Sequence, residues 1–166
     1  MYSSEELLNK VNEALENLAY DRQPYTLYDP IRYVLSLGGK RIRPVLMLMA
    51  YNLYREDPER IMSQAIGVET YHNFTLLHDD LMDQADMRRG HTTVHKKWNA
   101  NQAILSGDTM LLQAFERMEA CDADKLKEVF EVMSPPMFLP NTLGSPYTSN
   151  RSSCNWNARP ICSPKP

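Results

Sequence analysis

From Asp57-Pro58 to about Asp83 the chain runs without an internal proline and with only one glycine, Gly67. Asp ahead of Pro is a helix-start signal, so the stretch predicts one long helix around which the rest of the chain must pack. Further punctuation of the same kind flanks it. Ser3 and Glu6 have capping-box spacing ahead of the apolar stripe Leu7, Leu8, Val11, Leu15 and Leu18, which predicts a first amphipathic helix. Asp29-Pro30 predicts the start of a short second helix that stops at Gly38-Gly39. Pro44 opens a third, whose segment VLMLMAYNLY is apolar on nearly all sides and is therefore expected to be central. Two more helices are expected, over about Asn101–Ala120 and from Asp122 through Met133. No period-2 strand pattern appears, so the expected class is all-α.

Composition divides the chain near Met133. Residues 134–166 hold seven of the eleven prolines and no acid, whereas residues 1–133 hold all 21 acids against 15 Lys and Arg. The proline spacing of 134–166 forbids long helices, and this segment is expected to be an irregular tail, disordered or the product of a shifted reading frame. The overall charge of −3 excludes a general nucleic-acid binder. Neither a signal-peptide pattern nor an apolar run long enough to span a bilayer is present, which leads to the expectation of a cytoplasmic protein. Cys121, Cys154 and Cys162 are odd in number and lack metal-site spacing, so free thiols are expected.

The chemistry is concentrated in HNFTLLHDDLMDQADMRRGHTTVH, residues 72–95. Asp79 and Asp83, four apart, project from one helix face a turn apart, with His72 on nearly the same face. Like charges that close repel unless a cation sits between them, and hard oxygen donors favour Mg²⁺ completed by phosphate oxygens. Arg88-Arg89 follows the acids, and Lys40, Arg41 and Arg43 precede them. Guanidinium forks and ammonium groups suit diphosphates, so two basic clusters beside a metal-holding pair point to two diphosphate groups in one cavity.

Four segments, GGKRIRP (38–44), HNFTLLHDDLMD (72–83), MRRGHTTVHKKW (87–98) and AILSGDTML (103–111), stand in order and at spacings that resemble the trans-isoprenyl diphosphate synthases, the polyprenyl synthetases of farnesyl and geranylgeranyl type. The resemblance covers residues 1–133 and implies part of an isoprenoid-synthase helical bundle. It implies condensation of isopentenyl diphosphate with an allylic diphosphate to a short-chain product, with Mg²⁺ as cofactor and a homodimer as the assembly. By the same resemblance Asp79, Asp80 and Asp83 form the catalytic aspartate motif, with Asp79 and Asp83 as metal ligands. Arg88 would contact the allylic diphosphate; Lys40, Arg43, His72 and Arg89 would hold that of isopentenyl diphosphate. Phe74 and Thr75, just before the motif, would bound the chain-length pocket.

The family's second aspartate-rich motif and its Lys-Thr pair have no counterpart here, which opens an alternative: a truncated, inactive remnant or a partner subunit. A second alternative, a metal-dependent phosphohydrolase, is prompted by His78-Asp79 and leaves GGKRIRP unexplained. For His78, His91 and His95, structural roles are expected. Gly107 is expected to be a close-packing residue, followed by a polar contact from Asp108.

Overall fold

The computed structural model describes residues 2–119 together with Cys121, Lys125 and Glu128. These fall in the first of two units into which the chain divides, Met1–Lys127, apart from Glu128. Of the expected helix from Asp122 through Met133 only Lys125 and Glu128, both helical, are described; its other residues and the tail 134–166 lie outside the described residues.

The order of elements is α1 (Ser4–Glu16), α2 (Tyr25–Ser36), α3 (Ile42–Asn52), a 3₁₀ turn (Pro58–Ile61), α4 (Met62–Met82), β1 (Met87–Arg88), β2 (His91–Thr92), α5 (Val94–Lys97) and α6 (Ala100–Met118). The expected all-α class is the observed one, with a two-strand hairpin that the pattern analysis did not anticipate. No helix among the described residues is long and apolar enough to cross a membrane.

α1 begins as its sequence dictates. The Ser3 hydroxyl accepts from the Glu6 N–H at 3.2 Å while the Glu6 carboxylate accepts from the Ser3 N–H at 2.7 Å. Leu7, Val11 and Leu15 are the buried face. α2 corrects the expected start at Asp29-Pro30: it begins at Tyr25, because the Pro24 carbonyl accepts from the N–H groups of Leu27 and Tyr28 and nucleates the turn there. Pro30 sits inside the helix, buried, and Asp29 is drawn off to Arg32 at 3.0 Å.

α3 also departs from expectation. One face is buried through Pro44, Val45 and Leu48, but Ile42, Leu46, Met49 and Leu53 are exposed. Among the described residues no element covers that second stripe, so α3 lies at the edge here. The central helix is α4, which buries Ala65, Ile66, Thr70, Asn73 and Leu77 and packs most extensively against α6.

Two glycines allow that approach. A Cβ at Gly67 would press on the Ala114 carbonyl and the Met118 and Arg117 side chains; one at Gly107 would collide with the His78 ring. Gly107 is thus the expected close-packing residue, and His78, whose Nε2 lies 3.3 Å from the Ile104 carbonyl and 3.9 Å from Asp108, is structural. Gly107→Ala should therefore lower stability by about 1–3 kcal/mol, the usual range for overpacking. Adding His78→Ala should recover much of the loss, as urea unfolding midpoints of the two single variants and the double variant will show.

Candidate functional site

The site is built on the loop between α2 and α3. Gly38 (φ 70°), Gly39 (φ 150°) and Arg41 (φ 45°) all take positive φ, so the chain reverses sharply before α3 begins. Arg41 has a Cβ and carries a penalty of roughly 1 kcal/mol or more for this conformation. Its side chain turns inward: Nη1 donates to the Glu69 carboxylate at 2.7 Å and Nη2 to the Leu35 carbonyl at 2.7 Å. Arg41 and Glu69 are 4% and 3% exposed, and Asn73 donates to the same Glu69 oxygen at 3.0 Å. Arg41 is therefore a buried structural group, unlike its neighbours in the basic cluster.

Those neighbours converge. Lys40, Arg43, His72 and Arg89 line one open cavity of about 420 Å³, whose single acidic lining residue, Glu69, is already paired with Arg41. Arg89 reaches it from the hairpin. The two-residue turn Arg89-Gly90 has φ of 53° and 79°, the left-handed pair whose twist suits a tight hairpin. Arg89 Nη1 donates to the Gly38 carbonyl, and its guanidinium occupies the space that a Cβ at Gly39 would fill. Burial holds the His72 imidazole below its ordinary pKa of 6.5, and the Arg43 charge adds to the effect.

Asp79 and Asp83 lie at the C-terminal end of α4, Asp83 as the cap residue with its N–H on the Asp79 carbonyl at 2.8 Å. Both are exposed, and among the described residues neither carboxylate has a hydrogen-bond or ion-pair partner. Asp80 faces elsewhere: 6% exposed, it accepts from Arg88 Nε through both oxygens at 2.8 Å. Arg88 thus keeps its terminal guanidinium nitrogens for other partners. No group of three or more His, Cys, Asp or Glu side chains converges among the described residues. A pair of unpartnered carboxylates with room for outside oxygens fits Mg²⁺, which keeps waters and takes phosphate oxygens. The His–Asp cluster that the hydrolase alternative needs is absent among the described residues.

Phe74 and Thr75 sit half-buried on α4 before the acid pair. Phe74 makes edge contacts with Tyr71 (5.4 Å between centroids) and His78 (5.0 Å), and Thr75 donates to the His72 carbonyl.

The Polyprenyl synthetase family model matches residues 24–139, well over half of the chain. The chain belongs to the polyprenyl synthetase family. The match includes 134–139, beyond the composition boundary at Met133. It is 46% identical over 113 residues to the geranylgeranyl pyrophosphate synthase of Geoglobus acetivorans, covering 68% of this chain and 35% of that protein. To the short chain isoprenyl diphosphate synthase of Methanocaldococcus jannaschii it is 39% identical over 135 residues, covering 81% and 41%. A crystal structure of a geranylgeranyl pyrophosphate synthase superposes with a TM-score of 0.74 at 47% identity, over 80% of this chain and 40% of that one. The chain thus spans about two-fifths of the length of the relatives it matches.

Within this polyprenyl synthetase chain, pattern reading missed the Arg41–Glu69–Asn73 cluster, the Asp80–Arg88 pair and the hairpin that carries both arginines. None of these carries a local signal: Arg41 and Glu69 are 28 residues apart, and Asp80 and Arg88 lie on different elements. Removing Arg41 strands a buried carboxylate, so Arg41→Met should cost about 3–5 kcal/mol by chemical denaturation. His72 yields a second expectation. Its folded pKa lies below the unfolded value, so the unfolded state binds the extra proton in the window below about 6.5, and stability falls as pH drops through it. His72→Gln should flatten that part of the stability–pH curve.

Proposed function

We propose that this chain forms the diphosphate-binding part of a Mg²⁺-dependent prenyltransferase that joins isopentenyl diphosphate to an allylic diphosphate. The observation that carries the proposal is the convergence of Lys40, Arg43, His72 and Arg89 on one cavity with no free carboxylate in its lining. Such a cavity suits a diphosphate of three or more negative charges, because charge-assisted donors surround the anion and the one carboxylate in the lining is paired with Arg41.

In this reading Lys40, Arg43 and Arg89 hold the diphosphate of the nucleophilic substrate, and neutral His72 donates a further hydrogen bond. Arg88, oriented by Asp80, offers its terminal nitrogens to the allylic diphosphate. Asp79 and Asp83 hold Mg²⁺, which when bound supplies Lewis-acid stabilisation of the departing diphosphate. The allylic C–O bond would break with both electrons leaving on the diphosphate, the isopentenyl double bond would attack the resulting cation, and the released diphosphate would take up the proton lost as the new alkene forms. Arg88 offsets charge as it develops on the leaving group, an interaction stronger in the transition state than before it. Phe74, wedged between Tyr71 and His78, would limit the pocket to a short product. A homodimer and a cytoplasmic setting belong to the same proposal; sedimentation and cell fractionation test them.

Prenyl transfer tests the function. With labelled isopentenyl diphosphate, an allylic diphosphate and Mg²⁺, product should form and fall by at least about 100-fold when Asp79 and Asp83 are both changed to Ala. Phe74→Ala should shift product toward longer chains. Diphosphate binding without turnover would favour the partner-subunit reading, and loss of neither binding nor turnover in the double variant would sink the metal assignment.

A further inference from the structure

We propose that Glu69 and Arg41 form the positioning device of the cationic cavity: the buried carboxylate grips the guanidinium and thereby fixes the left-handed turn that sets Lys40 and Arg43 on the cavity wall. The inference rests on reading that cavity as a diphosphate site.

The turn is not one the backbone chooses by itself. Arg41 stands at φ 45° with a full side chain, between Lys40 and the first turn of α3, where its carbonyl accepts from the Val45 N–H at 3.1 Å. Something must hold it there, and the hydrogen bonds to Glu69 and to the Leu35 carbonyl, both at 2.7 Å, tie the turn to α4 and to the end of α2. Arg41 Nε is buried without a partner, so its two terminal nitrogens alone make these bonds. Glu69 is itself held: Asn73, fully buried one turn on, donates to the oxygen that accepts from Arg41 and to the Glu69 backbone carbonyl at 2.8 Å.

The same carboxylate lines the cavity beside Lys40, Arg43, His72 and Arg89. Its charge also acts on His72, favouring the protonated ring, against burial and the charges of Arg43, Arg89 and Arg88, which disfavour it. One residue therefore serves two purposes: its shape places the cationic turn, and its charge moderates the field that the turn creates. Neither role requires Glu69 to touch the ligand.

Two substitutions separate shape from charge. Glu69→Asp keeps the charge but withdraws it by one methylene, whereas Glu69→Gln keeps the length and an oxygen acceptor but removes the charge. Binding of inorganic pyrophosphate with Mg²⁺ to the full 166-residue chain is measured by calorimetry, and the His72 titration midpoint by NMR. A positioning role predicts that Glu69→Asp weakens binding by about tenfold or more, as sub-ångström misplacement of binding groups commonly does. It should also move the His72 midpoint, because Arg43 shifts although total charge does not change. Glu69→Gln should lower the His72 midpoint and alter binding by less than about threefold.

A folded Glu69→Asp variant with wild-type affinity and a wild-type His72 midpoint overturns the device. Arg41→Lys, which retains charge but cannot fork between Glu69 and Leu35, is judged by the same two readouts if Glu69→Asp does not fold. Lys40→Ala separates the two levels of the argument. If the wild-type chain binds no pyrophosphate, or Lys40→Ala binds as well as wild type, the diphosphate reading of the cavity fails, and the His72 midpoints alone decide the device.

Discussion

The close approach of α4 to α6 is the constraint on which the remaining structure depends. Gly67 and Gly107 remove the two side chains that would hold these helices apart, and the His78 ring and the Met118 side chain fill the space they leave. With α4 seated in this way, its other faces are committed. One carries Glu69 and His72 toward the α2–α3 loop, and its C-terminal end carries Asp80 onto Arg88 of the hairpin while leaving Asp79 and Asp83 exposed. A single helix thus supplies residues to both the cationic cavity and the acid pair, and its rotation about its own axis sets which residue meets which partner.

Charge is then distributed by burial. Arg41–Glu69 and Arg88–Asp80 pair inside or at the margin of the fold, while Asp79, Asp83, Lys40, Arg43 and Arg89 keep their charges facing open space. Burying an ion pair seldom adds much net stability over an apolar pair of the same volume, so specificity of arrangement is the better account of why charges sit there. Each pair fixes the direction of a basic segment whose neighbouring residues, Lys40 and Arg43 beside Arg41 and Arg89 beside Arg88, line the cavity.

Legibility in the sequence followed the range of the interaction. The α1 capping box, the acid pair at helical spacing and the body of α4 depend on residues three or four apart, and local pattern sufficed for them. The expected start at Asp57-Pro58 is instead a 3₁₀ turn with no side-chain cap from Asp57, and α4 begins only at Met62. The cationic cavity was legible only as residue types, through resemblance, since Lys40 and His72 meet by tertiary folding. Arg41 and Glu69, 28 residues apart, gave no local signal, and Arg41 looked like one more solvated base. The α2 start was missed because the Pro24 carbonyl, rather than a side chain, organises the first turn. α3 looked central because apolar residues encircle it, yet nothing among the described residues covers its second stripe. The Arg-Gly turn is a weak hairpin signal beside Asn-Gly or Asp-Gly, and two-residue strands are too short to show alternation.

The hairpin tip has an additional consequence. Arg88 and Arg89 are adjacent in the chain, yet one is bonded to Asp80 and the other to Gly38, in different parts of the fold. Tight turns of this kind are register devices: one residue inserted or deleted between Met87 and Thr92 would exchange the directions in which neighbouring side chains leave the ribbon. The pair of arginines therefore behaves as a two-pronged plug whose spacing is set by the backbone rather than by side-chain flexibility. In this part of the chain a substitution alters one prong at a time, whereas a change in the number of residues between Met87 and Thr92 misdirects both.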